Sequence, residues 1–161
     1  MTTTDTGTSV RKTVTVNAPI ERAFDVFTNG FGTWWPPTHH IAEVDMADAI
    51  LEPRVGGRWY ERGIDGSECD WGSVLDYDRP NHVAVSWRLN GEFQYDPDPA
   101  HQSRVDVWFT SEGEGVTRVQ LVHSQLDRHG ETWKALRDGV SSDGGWGSLL
   151  GMFATAAASP T

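Results

Sequence analysis

Between residues 82 and 123 apolar side chains fall on alternate positions in successive segments: Val83, Val85, Trp87 and Leu89, then Val105, Val107 and Phe109, then Val119 and Leu121. Thr117 and His123 share the last parity, while the opposite one carries His82, Arg88, Arg104, Asp106, Arg118 and Gln120. A period of two belongs to strands with one dry and one wet face. Strands are predicted over Val10 to Val16, Val44 to Leu51, Gly57 to Gly63, Cys69 to Tyr77, His82 to Leu89, Ser103 to Thr110 and Val116 to His123. Turn chemistry separates them: Pro53-Arg54-Val55-Gly56, Asp65-Gly66, Asp78-Arg79-Pro80-Asn81, Asn90-Gly91 and Gly113-Glu114-Gly115. The period lengthens at the two ends. Ile20, Ala23, Phe24 and Phe27 predict a short amphipathic helix capped by Asn17, with Pro19 in its first turn and Asn29-Gly30 stopping it. A weaker helix is predicted over Glu131 to Val140. Trp146, Leu149, Leu150 and Phe153, at i, i+3, i+4 and i+7, make one apolar stripe on a terminal helix reaching Ala157. The whole reads as α+β, a curved antiparallel sheet wrapped around a long C-terminal helix. Such a sheet closes poorly on one helix, so a ligand-sized gap between them is expected.

Composition narrows the function classes. The 161 residues carry 13 basic and 23 acidic side chains, a formal net charge of −10. No block of Lys and Arg is present to neutralise phosphates, which argues against nucleic acid or an anionic membrane surface as partner. No run approaches the roughly 20 apolar residues of a membrane helix. Cys69 is the single cysteine, so no intrachain disulfide forms, in keeping with a cytoplasmic protein. One domain is expected over residues 10–157, with a disordered N-terminus over 1–9 and a tail over 158–161.

Candidate chemistry centres on aromatic rings. Eight tryptophans are present, and Trp59, Trp71, Trp87 and Trp133 are expected to line the gap with Trp146 and Phe153. Flat rings offer large apolar contact with few rotamers to freeze, which suits a planar ligand, although core filling uses the same residues. His123 on the inward parity is a candidate base or hydrogen-bond partner, against the commoner role of a satisfied core histidine. Arg58, Tyr60, Glu61 and Tyr77 form a second polar group, suited to acid/base work on a carbonyl compound or to a solvated ion pair. His39-His40 with Glu43 and Asp45 is the densest set of potential metal ligands, but it lacks an HExxH arrangement and sits in a Pro-rich connector. No metal and no cofactor is expected, and Cys69 reads as a packed or surface thiol. Exposed aromatic surface such as Trp108 leaves a homodimer open.

Several strings, taken in order, resemble the family of homologues of the activator of heat-shock-protein-90 ATPase, in the START-like (SRPBCC) group of helix-grip folds. They are VNAPIERAFDVFT from Val16, ILEPRVGGRWYE from Ile50, WGSVLDYDRPNHVAVSW from Trp71, TRVQLVHSQL from Thr117 and GGWGSLLGMF from Gly144. The resemblance implies an apolar ligand held between sheet and C-terminal helix. On that basis the expected ligand-binding residues are Trp59, Glu61, Trp71, Trp87, Phe109, His123, Trp146, Leu150 and Phe153, and the expected partner is a small hydrophobic or aromatic molecule. Relatives that cyclise and aromatise polyketides supply an alternative, with His123, Glu61 and Tyr60 as acid/base candidates. A co-chaperone-type protein-binding module is a further alternative. In the eukaryotic co-chaperones behind the family name such a domain is one part only, so chaperone activation does not follow from the name.

Overall fold

The computed structural model describes residues 8–36, 43–91, 94–96, 98, 100–142 and 145–158. Strands β1 (Val10–Val16), β2 (Met46–Leu51), β3 (Arg58–Gly63), β4 (Glu68–Asp78), β5 (His82–Trp87), β6 (Ser103–Gly113) and β7 (Val116–Ser124) form one sheet. Its order is β1-β7-β6-β5-β4-β3-β2, antiparallel throughout, with the first and last strands paired at one edge. The helices are α1 (Ile20–Phe27), α2 (Phe31–Trp34), α3 (Trp133–Ser141) and α4 (Trp146–Ala158), with a 3-10 segment over Leu126–Thr132. This is the curled sheet and C-terminal helix of the predicted helix-grip fold.

The parity of the sequence sets the dry face. Val83, Val85, Trp87, Leu89, Val105, Val107, Phe109, Thr117, Val119, Leu121 and His123 are all buried. Irregular pairing interrupts β2, β3 and β4 between Met46 and Asp48, Trp59 and Tyr60, and Val74 and Asp76. Such bulges bend the strands that carry them, which lets the sheet curl over a helix. Gly72 on β4 sits in the fold of that curl, where an added Cβ would collide with the backbone carbonyl of Ser86 on β5. The α4 stripe of Trp146, Leu149, Leu150 and Phe153 is buried, joined by Ala157. Phe24 and Phe27 of α1 dock beside it: Phe27 meets Phe153 edge-on at 5.2 Å, and Phe24 meets Phe109 at 5.1 Å. Arg22 Nε donates to the carbonyl of Ala157 at 2.6 Å, placing a cation at the C-terminal end of α4 where the helix dipole favours it.

Three expectations are corrected. Asn17 does not cap α1; Pro19 occupies the N-cap with no side-chain cap bond, because its extended ψ of 155° delays the first helical turn to Ile20. The connector after Asn29-Gly30 contains a helical turn, α2, that buries Phe31 and Trp34. The segment after β7 begins as a 3-10 turn before α3, entered through Gln125 in the left-handed region at φ 62°. Among the described residues no helix is long and apolar enough to cross a membrane.

Candidate functional site

Alternation along β3 sends Trp59 and Glu61 to the dry face, and β4, β5 and β7 add Trp71, Trp87 and His123 beside them. Trp146 and Phe153 descend from α4, and Trp34 and Trp35 enter from α2 and its C-cap. The resulting ring cluster is contiguous. Trp59 lies 5.4 Å from Trp71 and 5.7 Å from Trp87, centroid to centroid, and Trp87 lies 5.7 Å from Trp146 and 5.0 Å from His123. Trp35 closes the circuit, stacked on Phe31 at 4.9 Å and touching Trp71 at 5.1 Å and Trp146 at 6.2 Å. Where the sequence suggests a gap lined by rings, these rings touch one another, so a guest would have to part them. An open depression of about 400 Å³, lined by Thr15, Asn17, Ala154, Thr155 and Ala158, lies at the far end of α4, away from this cluster.

The cluster consumes its own polar atoms in a specific way. Indole N–H groups can only donate. Trp71 Nε1 donates to Glu61 Oε1 at 2.8 Å, Trp87 Nε1 to the Leu89 carbonyl at 2.9 Å, Trp34 Nε1 to the Val26 carbonyl at 3.1 Å, and Trp146 Nε1 to His123 Nδ1 at 3.1 Å. Trp59 Nε1 is buried without a hydrogen-bond partner among the described residues. Glu61 is fully buried, a carboxyl group inside an aromatic wall.

His123 belongs to a second arrangement. Its Nε2 lies 2.7 Å from Ser103 Oγ, which lies 2.7 Å from His129 Nε2. Ser103 starts β6 opposite Trp87 of β5, and His129 arrives from the 3-10 segment, turned back over the sheet by the left-handed Gln125 and tied to the residues just before β1 by the Leu126 N–H on the Thr8 carbonyl. Burial, reinforced by the neighbouring His129, pushes the His123 imidazole down to about 3. Burial also lowers His129 to about 4; Asp96 opposes that shift and His101 adds to it. Both rings are therefore neutral at pH 7.

The expected second polar group comes apart. Tyr60 and Arg58 lie on the face of β3 opposite Glu61, with the Arg58 guanidinium 3.9 Å above the Tyr60 ring and bonded to Asp70 and Glu68. Tyr77 packs against Phe24 beside α1. Phe109 and Leu150 are buried in the same core, but Phe109 faces Phe24 and Phe27 rather than the indoles. Trp133 lies outside the cluster, half-buried, with Lys134 and Arg137 against its ring. Trp108 is exposed on the outer face and stacks on His82. Burial, with the charges of Glu61, Asp70 and Asp65, raises the Cys69 thiol, which suits packing rather than nucleophilic attack. His39 and His40 lie outside the described residues, among which no group of three or more His, Cys, Asp or Glu side chains is placed to hold a metal ion.

Ser103 and His129 are the site residues that sequence reasoning missed. Ser103 had a signal, a polar residue on the inward parity of Val105, Val107 and Phe109. His129 had none, because its position depends on the backbone reversal at Gln125.

A helix-grip domain with a polar-studded aromatic interior is thus defined by fold and geometry together. The chain belongs to the family described as activator of Hsp90 ATPase homologue 1-like protein, matched over residues 17–158. Among solved structures it is 40% identical to one described as an anthrahydroquino-γ-pyrone synthase, Txn09, complexed with SUM, covering 91% of this chain and 95% of that one at a TM-score of 0.65. It is 34% identical to CalC from Micromonospora echinospora, described as a self-sacrificing resistance protein, over 92% of this chain and 93% of that one at a TM-score of 0.66. At 12% identity, NE0264 from Nitrosomonas europaea shares the fold alone, covering 97% of each chain at a TM-score of 0.65. Searched against curated proteins, the chain has no match.

Proposed function

We propose that this protein binds a planar, oxygenated aromatic molecule of the polyketide type between its sheet and C-terminal helix, among Trp59, Trp71, Trp87 and Trp146. The observation that carries this reading is the Trp59 N–H, buried among rings and without a partner among the described residues. Leaving such a donor unsatisfied costs about 1–3 kcal/mol, a cost that a ligand carbonyl placed there removes. The neighbouring rings supply the stacking surface, and a synthase of anthrahydroquino-γ-pyrones as a relative at 40% identity fits a ligand of this shape. Titration with 2-hydroxyanthraquinone, followed by quenching of tryptophan emission, tests it. Binding in the micromolar range, weakened about tenfold in Trp59→Phe, is the expected result. No quenching up to the solubility limit of the probe overturns the reading.

A cyclase is the second reading, favoured by Glu61. Its carboxyl group shares the inward face of β3 with Trp59 and is oriented by the Trp71 N–H. A carboxyl so placed suits proton transfer at a phenol or enol of the bound ligand. Under this reading Glu61→Gln keeps binding and loses turnover of a polyketide-type substrate; unchanged turnover in that variant excludes Glu61 as the base.

A further inference from the structure

We propose that the outer face of the sheet, centred on Trp108, is the contact between two copies of this chain, which form a weak two-fold dimer. The inference is independent of the ligand-binding reading, because this face has the strand parity opposite to that of the ring cluster.

Strand register lays out the surface, because directly opposed residues of an antiparallel pair share a face. Trp108 on β6 lies opposite Gln120 of β7 and His82 of β5, which in turn lie opposite Thr13 of β1 and Asp78 of β4. The neighbouring row runs Arg11, Val122, Asp106, Ala84 and Asp76. Since β6 is the middle of these five strands, Arg11 and Thr13 stand two strands to one side of Trp108, and Asp76 and Asp78 two strands to the other. All four are exposed, as is Arg118 on the same face of β7. Neither Arg11 nor Arg118 makes an ion pair among the described residues. The face is therefore positive along β1 and β7 and negative along β4, with a large ring, 40% exposed, between the two halves.

A surface that closes on itself through a two-fold must carry its own complement across the axis. An axis along β6 turns a second copy over onto this face and exchanges its sides, keeping each row in register. Arg11 then faces the partner's Asp76, Thr13 the partner's Asp78, and Trp108 meets its own copy on the axis. Arg104 and Asp106 also lie on β6, but each pair neutralises itself through two N–H···O bonds of 2.9 and 3.0 Å. Asp106 holds His82 Nε2 at 2.8 Å, and the His82 ring stacks on Trp108 at 5.1 Å and 17°, so the indole is fixed before a partner arrives. A rigid aromatic at the centre of a patch is where binding energy concentrates. Five strands span about 19 Å, and with about 20 Å along them the patch covers roughly 400 Å² per copy, about half of a standard interface. The formal net charge of −10 opposes association in general, so the local complement must offset it. The dimer is accordingly weak, half-formed at about 100 μM.

Sedimentation equilibrium of the full chain from about 10 μM to about 1 mM tests the proposal. The weight-average mass is expected to rise from one chain towards two and no further, and Trp108→Ala to weaken association about tenfold or more. Arg11→Asp and Asp76→Arg, both on exposed positions, are each expected to keep the thermal transition and to stay monomeric alone. An equal mixture of the two regains the dimer, because each supplies the charge the other lacks, and so does the Arg11→Asp/Asp76→Arg double variant. A mass of one chain at the highest concentration, growth past two chains, or a dimer indifferent to Trp108→Ala overturns the inference. Failure of the mixed single variants to associate overturns it as well. Each of these results leaves the ligand-binding reading standing, since tryptophan quenching by the anthraquinone probe is read on monomer at low concentration.

Discussion

Acidifying the protein from pH 7.5 to pH 5 should weaken it through His123 and His129. His123 and His129 titrate at about 3 and about 4 in the fold against an ordinary value of 6.5. The sign follows from proton counting: between those values and 6.5 the unfolded chain binds protons that the folded chain refuses, so stability rises with pH through that window. Their contribution is complete above about pH 6.5 and is lost as pH falls towards the folded values. At pH 5 each ring is about 1.5 pH units below its unfolded value, which corresponds to roughly 2 kcal/mol apiece and up to about 4 kcal/mol together. That is a sizeable part of the 5–15 kcal/mol typical of a domain. Lowered carboxyls such as Asp96 and Asp65 act below their ordinary value of 3.8, outside this range. Urea unfolding at half-unit steps from pH 7.5 to 5 reads the effect as a falling midpoint. A flat midpoint over that interval would refute the burial argument for both rings. His129→Gln, which leaves His123 in place, should halve the slope.

Other consequences are direct. Trp71→Phe removes an indole donor from the buried Glu61 carboxyl and should cost about 1–3 kcal/mol, part of which the Glu61→Gln/Trp71→Phe double variant recovers, as measured by chemical denaturation. Gly72→Ala forces a methyl group onto the Ser86 carbonyl and should destabilise by on the order of 3 kcal/mol or prevent folding, visible as loss of the thermal transition. Phe153→Ala opens a cavity between α4, α1 and Trp34 and should cost about 3–5 kcal/mol, whereas Trp108→Ala on the exposed outer face should stay within about 1 kcal/mol.

Much of this architecture was legible because strand period and helix period are local signals. Val105, Val107 and Phe109 announce an inward face whatever lies across from them, and the stripe of Trp146, Leu149, Leu150 and Phe153 needs only helical spacing to be read. The buried cluster that forms the candidate site was legible in the same measure. Trp59, Glu61, Trp71, Trp87 and His123 share the dry interior through strand parity, and Trp146 joins them through helical spacing. What parity cannot give is which neighbours meet across strands. Glu61 and Tyr60 are adjacent in sequence and therefore on opposite faces, so their grouping as one acid/base pair failed on the rule that placed the valines correctly. The cap at Asn17 failed for a different reason: Pro19 fixes its own φ and holds the backbone extended until Ile20, and that constraint outweighs a favourable side chain two residues earlier.

The indoles do more than fill volume, because each carries one proton that must go somewhere. In this interior the protons of Trp71, Trp87, Trp34 and Trp146 are committed, to Glu61, Leu89, Val26 and His123, while that of Trp59 has no partner among the described residues. A core selected only for packing would place phenylalanine at position 59, since a phenyl ring buries similar apolar surface and leaves no donor to satisfy. A core selected for a guest gains from an unspent donor, because it becomes a specific contact only when the guest arrives. Trp59 and Trp146 each lie less than 6 Å from Trp87 by ring centroid. Under the ligand-binding reading, a molecule that parts these rings beside Trp59 meets that unspent N–H, which favours a carbonyl on the edge it presents there.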